Sequence, residues 1–487
     1  MAREDHINPS ERSLAYSDAI FAIVATIMIL PLSGQAVQGV AGSKDLLAGL
    51  LQIWFKLLIY ALAFILVSST WDTHTRLFRH IEKVNETIVL LNLGVLMVVT
   101  FLPFAFLMIA EYPREPVAIS MFCGCIAVVG IFKAAIVWQV YNRDNLLKDE
   151  EAETGNLSSK RRRALLMVMV KPILAVIAAL VSIGSIETAW AFLILMMVEP
   201  ALRQIGEAVY HCVRGKTRYG LKVIRPSRLV SETAETSRLS CFSDGVYSIV
   251  ATLIILDICV NNVPTAAHVQ MHGSVVKALS QDAPVFLSYV GTFVTVCLLW
   301  YLHHTMFRHI RAQNSIVLTC NKMALLFAGY LPIVFKLTGQ FGKEVGTGNS
   351  SLAVQVNSVV VFLASVWLLA MWITASCKKS ETLHSSAHTT MANMFMVAHL
   401  CIYPVTSLVI FCLCFFVPIN SDVINWVQIG MLGVFILLKL IRNLAQKRLE
   451  NGKAKISKDK NRQLSEIPAN RESFRAMHEG AAATAYV

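Results

Sequence analysis

Long apolar segments follow one another along almost the whole chain, and short polar segments separate them. Each apolar segment is long enough to cross a hydrocarbon core of roughly 30 Å as an α-helix. The pattern therefore predicts an all-α polytopic membrane protein with twelve transmembrane helices. The expected spans are 13–33, 50–70, 87–110, 117–140, 164–184, 188–210, 239–260, 283–302, 315–338, 352–376, 391–417 and 424–445.

The sixth apolar segment differs from the others because charged residues and a proline interrupt it. Glu199, Pro200 and Arg203 all fall within it. Glu199 and Arg203 are four residues apart, a spacing at which side chains on one helix face can form a pair. We expect this span to carry an ion pair along one face.

Two apolar segments begin with the same polar residues. The stretch RSLAYSDAIFAIVATIMILPL begins at Arg12, and RLSCFSDGVYSIVATLIILDI begins at Arg238. A second pair of matching blocks, WDTHTRLFRHI at 71–81 and WYLHHTMFRHI at 300–310, follows each of them. The aligned residues include Arg12, Ser17, Asp18, Ile23, Thr26, Leu30 and Asn92 in the first half, and Arg238, Ser243, Asp244, Ile249, Thr252, Leu256 and Asn321 in the second.

The matching blocks indicate an internal duplication of six spans. Because six is even, both halves enter the membrane in the same direction, so they are parallel repeats around an axis along the membrane normal. The predicted organisation is a cytosolic N-terminus at 1–12, a first repeat at 13–213, a basic linker at 214–237, a second repeat at 238–445 and a basic disordered cytosolic tail at 446–487.

Charge placement predicts the sidedness of the chain. The 487 residues are 55% hydrophobic and 15% charged, with a net charge of +12. The basic residues concentrate in alternate loops, such as KRRR at 160–163, which predicts cytosolic termini by the positive-inside rule. The excess therefore marks topology, and no nucleic-acid partner is expected. One glycosylation sequon, at Asn349, falls on the predicted non-cytosolic side, close to a span.

The duplicated helix places a mostly apolar face at equivalent positions of both halves. Residues 23, 26 and 30 lie at helical spacing, as do 249, 252 and 256. Such a face suits a hydrophobic constriction with one hydroxyl to solvate an ion. It also suits a stripe that faces lipid or other helices.

The polar start of each duplicated helix permits two interpretations. The arginine and aspartate can extend to the membrane surface, or they can form a buried network in which Asp accepts from Ser or His and Arg pairs with it. His74 and His303, near Trp71 and Trp300, are the candidate partners on the second span of each half. Histidine spacings do not match the tight clusters of membrane di-iron oxidases. We expect no enzyme activity, no cofactor and no bound metal.

The two signatures of the RxxxFSD type, each opening a six-span repeat, resemble the endosomal and lysosomal potassium channel family called transmembrane protein 175. The likeness extends from Arg12 to about Ala445 and includes ATIMILP, THTRLF, LLNL and NNVP. It departs from the family at Tyr16, where the signature has Phe, and at Ala22, which is hydroxylic in some relatives.

The resemblance implies a homodimer whose central pore is lined by the first helix of each repeat, in a potassium-selective, leak-like cation channel of endosomes and lysosomes that also conducts protons. Ile23 and Ile249 would form the constriction, Leu30 and Leu256 a further apolar ring, and Thr26 and Thr252 lining hydroxyls. The signature network would contain Arg12, Ser17, Asp18, His74, Arg238, Ser243, Asp244 and His303. Expected partners are the lipid bilayer, potassium ions, protons and a cytosolic regulatory protein.

A secondary transporter with six plus six parallel repeats is the alternative. The major facilitator class commonly has a motif rich in Gly, Asp and Arg between spans two and three, and this chain lacks it there. A transporter also needs polar groups around a central cavity. The residues that could supply them are Lys133, Lys171, Lys322, Lys336 and His399.

Overall fold

A computed structural model describes most of the chain. The described residues are 9–30, 32, 46–143, 146–147, 157–214, 226–341, 348–377, 379–384, 387 and 390–465. Helices account for the regular secondary structure of these residues, and only two isolated β-bridges occur beside them. The predicted all-α class is confirmed.

In the part of the first half that the structure describes, there are six long helices. They are α1 (Pro9–Ile27), α2 (Leu46–Phe78), α3 (Glu86–Glu111), α4 (Pro116–Tyr141), α5 (Leu157–Val181) and α6 (Ile186–Arg214). In α6, Arg203 donates through Nε to Glu199 at 2.9 Å, which confirms the pair expected from their spacing. Tight packing joins α4 to α5, because a Cβ added at Gly130 would lie 1.9 Å from the Pro172 ring.

The described residues of the second half form ten helices of unequal length. They are α7 (Pro226–Asn261), α8 (Ala266–His272), α9 (Val275–Gln281), α10 (Ala283–Phe307), α11 (Ser315–Gly329), α12 (Leu331–Phe341), α13 (Gly348–Cys377), α14 (Lys379–Thr382), α15 (Thr390–Leu413) and α16 (Ser421–Ser465). The chain forms two compact units, residues 1–430 and 431–487.

Local contacts recur at equivalent places in the two halves. Asn85 caps α3 by accepting from the Ile88 amide at 2.9 Å, and Asn314 caps α11 in the same way at 2.8 Å. An asparagine that accepts a first-turn amide in this way satisfies a donor that the helix leaves unpaired. The two isolated bridges, Ile81 with Leu147 and Ile310 with Leu383, also follow the matching blocks. The local structure therefore repeats along with the sequence.

Among the residues that the structure describes, ten helical segments are long and apolar enough to cross a membrane, which confirms the polytopic prediction. They are α2, α3, α4, α5, α7, α10, α11 with α12, α13, α15 and α16. Helices α1 and α6 fall outside this group, and both contain several charged side chains. The twelve-span layout therefore stays a prediction at these two helices.

The structure differs from the sequence prediction at two segments that were expected to be irregular. Helix α7 begins at Pro226, inside the predicted linker, where a proline in the first turn suits a helix start. Helix α16 continues to Ser465, so the expected disorder at 446–487 is wrong for its first part. Lysine is frequent there, and arginine, glutamine and leucine each occur twice; all four favour helix. The remaining tail lies outside the described residues.

Candidate ion pathway

The two duplicated helices, α1 and α7, pack directly against each other. A Cβ added at Gly245 would lie 2.9 Å from the Cβ of Ala22, so the backbones approach closely at this point. Ala22 is fully buried. The departure from the family pattern at Ala22 therefore lies in a helix contact, where a larger side chain would meet α7.

Four of the predicted pore residues present apolar or hydroxyl surface that the single chain does not cover. Ile23 is 44% exposed and Leu256 is 42% exposed. Thr252 is exposed and Ile249 is partly exposed. An uncovered face of this kind fits either a second chain or lipid, so these residues keep their pore role as a prediction.

Thr26 and Leu30 differ from their counterparts in the second repeat. Thr26 is fully buried, and its hydroxyl donates to the Ala22 and Ile23 carbonyls at 2.8 and 3.1 Å. Such a bond back to the preceding turn often bends a helix. Helix α1 ends at Ile27 with a turn at Met28, so Leu30 lies beyond it. The helix resumes at Ile29, so Leu30 is helical but is separated from Thr26 by this turn.

Beside α1, buried polar side chains of the first repeat form two adjacent groups of hydrogen bonds. The Trp71 indole donates to Asp18 at 2.7 Å. The Asn92 amide nitrogen donates to Ser17 at 2.9 Å, and its oxygen lies 2.8 Å from His74 Nε2. Ser17 in turn donates to the Ser13 carbonyl. This order assigns the ring proton of His74 to Nε2, because the asparagine oxygen can only accept.

The second repeat builds the same two groups from the aligned residues. The Trp300 indole donates to Asp244 at 2.8 Å. The Asn321 amide nitrogen donates to Ser243 at 3.0 Å, and its oxygen lies 2.8 Å from His303 Nε2. Ser243 donates to the Leu239 carbonyl at 2.8 Å. Both repeats therefore hold their first helix against the second and third by one pattern of bonds.

One contact of the network joins the two repeats. Arg238 of α7 donates to both carboxylate oxygens of Asp18, at 2.6 and 3.0 Å. Nearby, the rings of Trp71 and Phe242 stack with centroids 4.4 Å apart. Arg12 is exposed, and within the described residues no ion pair joins it to Asp244. The arginine of the second repeat thus forms an ion pair with the aspartate of the first.

The sequence prediction of a buried network needs correction in its partners. Asp18 and Asp244 accept from tryptophans, whereas the expected donors were serine or histidine. The serines and histidines instead meet at asparagines, which the sequence analysis aligned but assigned no role. The signal that could have identified them was their matched position in the two duplicated blocks.

Basic residues considered for a transporter cavity are held by neighbouring helices. Lys133 donates to the Thr70 carbonyl at 2.7 Å, and Lys171 donates to Ser69 at 2.6 Å. Both lysines are buried, and the cavity beside them measures about 20 Å³, room for a single water molecule. This arrangement suits helix packing and offers no space for a substrate.

Comparisons with known proteins bear on the duplicated helices directly. The family model described as endosomal/lysosomal potassium channel TMEM175 matches residues 12–103 and 238–332. A protein of Danio rerio, named endosomal/lysosomal proton channel TMEM175, is 34% identical over 446 residues, 90% of this chain and 84% of the relative. The chain belongs to the TMEM175 family. The resemblance seen in the sequence is confirmed.

A second relative agrees with TMEM175 membership. The endosomal/lysosomal proton channel TMEM175 of Gallus gallus is 35% identical over 440 residues, 88% of this chain and 87% of the relative. A crystal structure of a lysosomal potassium-selective channel TMEM175 homolog from Chamaesiphon minutus is 22% identical, with a TM-score of 0.34. The match covers 43% of this chain and 99% of the homolog's chain.

Proposed function

We propose that this protein is a cation channel of endosomal and lysosomal membranes that conducts potassium ions and protons. The proposal rests on membership of the TMEM175 family, whose model is described as a potassium channel and whose similar relatives are named proton channels. One structural observation supports it most. Two equivalent helices, fixed by the same polar contacts, leave apolar faces that the single chain does not cover.

We further propose that two chains surround one pore. Two helices cannot enclose a pathway, so a closed wall needs more of them. Within the chain Arg238 pairs with Asp18, whereas the equivalent partners Arg12 and Asp244 do not meet in the described residues. In a dimer with α1 and α7 alternating around the axis, Arg12 of one chain would reach Asp244 of the other. Closed symmetry of this kind satisfies both contacts.

Ile23 and Ile249 are proposed to form the narrowest point of that pore. Both lie on the uncovered side of their helices, and a ring of such side chains repels water strongly enough to gate by dewetting. Leu256 lies about two helix turns beyond Ile249, on the same uncovered side. A dry ring at this level would restrict both ions and protons.

Replacing Ile23 and Ile249 by asparagine tests the constriction. Potassium, sodium and proton currents are recorded from the purified chain in liposomes, and we expect larger currents or greater sodium entry because the ring becomes wet. Leu90→Asn is the matched control, since Leu90 is 67% exposed on α3 and outside the proposed pore. Unchanged conductance and selectivity in the double variant would assign the constriction to another ring. Saturable, substrate-coupled flux would replace the channel by a transporter.

A charge exchange tests the dimer. Arg12→Glu should lower the dimer fraction in mass photometry, and adding Asp244→Arg should restore it. Asp244→Arg also removes the acceptor of the Trp300 indole, so the melting temperature of both variants is measured to separate misfolding from lost association. A wild-type chain that is entirely monomeric, with no cross-linked pairs in membranes, would contradict the proposal.

A further inference from the structure

A basic cleft lies at the end of α10 in the second repeat, apart from the proposed pore. The cleft measures about 350 Å³ and is bounded by α7, the end of α10 and the segment around His384. Its lining includes Arg308, Arg311, His304 and His384, with the hydroxyls of Ser237 and Ser240 opposite. No carboxylate is among the described residues that line it. The site therefore offers positive charge and hydroxyl donors to an anion.

Backbone hydrogen bonds hold the wall of this cleft in place. The Arg311 amide donates to the Thr382 carbonyl at 2.8 Å, and the His384 amide donates to the His309 carbonyl at 2.9 Å. The isolated bridge between Ile310 and Leu383 lies between these bonds. Two segments distant in sequence are thus joined, so the cationic side chains start from a fixed backbone. A preorganised site loses less entropy when a ligand binds.

The corresponding cleft in the first repeat also contains an arginine, but carboxylates neutralise its positive charge. The matching blocks align Arg79 with Arg308. Arg79 pairs with Glu235 at 2.9 Å, and Arg76 pairs with Asp72 at 3.2 Å. Both carboxylates line the cleft there, which measures about 430 Å³. The duplication therefore produced one balanced cleft and one cationic cleft.

The position and size of the cationic cleft indicate its ligand. It lies where the span of α10 ends, on the side predicted to be cytosolic, where lipid headgroups are expected. Basic pockets between membrane helices on that side suit phosphorylated headgroups, and arginine matches phosphate oxygens in pairs. The volume exceeds that of a single phosphate and falls in the range of small-ligand pockets. We propose that this cleft binds a phosphorylated inositol group, supplied by a lipid of the cytosolic leaflet.

The test uses the full chain in phosphatidylcholine nanodiscs and a fluorescent short-chain phosphatidylinositol bisphosphate as the probe. Arg308→Gln should weaken binding by about tenfold or more, because arginine contributes both charge and paired donors. Arg79→Gln is the matched control, with the same change at the aligned position of the balanced cleft, and should leave binding unchanged. His304→Gln, at an exposed side chain of the cleft, gives a second variant that does not threaten folding.

Melting temperature and elution profile verify that each variant is folded. Competition distinguishes a lipid headgroup from a free inositol phosphate. If soluble inositol trisphosphate displaces the probe as well as the unlabelled lipid does, the ligand is the free inositol phosphate. If it displaces the probe only weakly, the ligand is the lipid. No binding by the wild type, or equal losses in Arg308→Gln and Arg79→Gln, would overturn the inference.

Discussion

Asp18 and Asp244 occupy the same position in the two repeats, yet their surroundings differ. Asp18 is 1% exposed, and its carboxylate accepts from the Trp71 indole and from Nε and Nη2 of Arg238. Asp244 is only partly buried and accepts from Trp300. A duplicated sequence therefore reproduces the contacts made within a repeat, whereas contacts between repeats depend on which helix comes next in space. Within the described residues of one chain, Asp18 pairs with an arginine of the other repeat and Asp244 does not.

Removal of the carboxylate charge should have its largest effect at Asp18. Asp18→Asn leaves Arg238, whose side chain is 14% exposed, without its carboxylate. Removing one partner of a buried ion pair costs about 3–5 kcal/mol, so we expect a large drop in melting temperature and in total expression yield. Detergent-extracted protein, followed by size-exclusion chromatography after heating, gives the measurement.

Asp244→Asn is the matched control for that prediction. In the isolated chain it weakens one partly exposed hydrogen bond from Trp300, at a cost of about 1 kcal/mol. Equal losses for the two variants in dimeric protein would mean that Asp244 acquires an arginine from the second copy. Equal losses in a proven monomer would contradict the difference seen between the repeats.

Much of this comparison could be predicted from the sequence. The twelve apolar segments, the duplication and the family all follow from residue patterns, because hydropathy and repeated signatures are local properties. The pairing of Arg238 with Asp18 could not be predicted, since it depends on how α1 and α7 pack. The burial of Thr26 could not be predicted for the same reason, because it depends on how α1 packs against its neighbours.

The polar chain through Asn92 and Asn321 should respond alike in both repeats. Each asparagine is buried and joins a serine to a histidine, with nearly equal distances. Asn92→Ala and Asn321→Ala should each cost about 1–3 kcal/mol, because buried polar partners are left unsatisfied. Melting temperatures of the two variants, measured side by side, provide the check. A loss confined to one variant would mean that the repeats do not share this support.

The close approach of α1 and α7 gives a third effect, similar in size to the second. Gly245→Val adds a branched side chain where even a Cβ would lie 2.9 Å from the Cβ of Ala22. Overpacking of this kind costs about 1–3 kcal/mol, so the melting temperature should fall. Adding Ala22→Gly removes the opposing Cβ and should recover part of the loss, with Ala22→Gly alone as the control. No recovery in the double variant would place the clash elsewhere.

The smallest effect concerns Asn349, where the second repeat contacts the start of α2 in the first. Its side-chain oxygen accepts from the Leu46 amide at 3.0 Å, and the residue is the second of α13. A glycan on this partly buried asparagine would compete with that contact, so we expect the sequon to stay unmodified. Asn349→Gln should leave the apparent mass unchanged and cost about 1 kcal/mol or less, the net value of one hydrogen bond.

Glycosidase treatment followed by electrophoresis measures this outcome, with an engineered sequon as the positive control. Ala41→Asn creates an Asn-Gly-Ser sequon in the loop predicted to be non-cytosolic, so it should gain a glycosidase-sensitive shift. That shift would also support the predicted sidedness, because glycans are added only on the non-cytosolic side. A shift that depends on Asn349 in the wild type would contradict the prediction, since the bond to Leu46 would then not protect the asparagine.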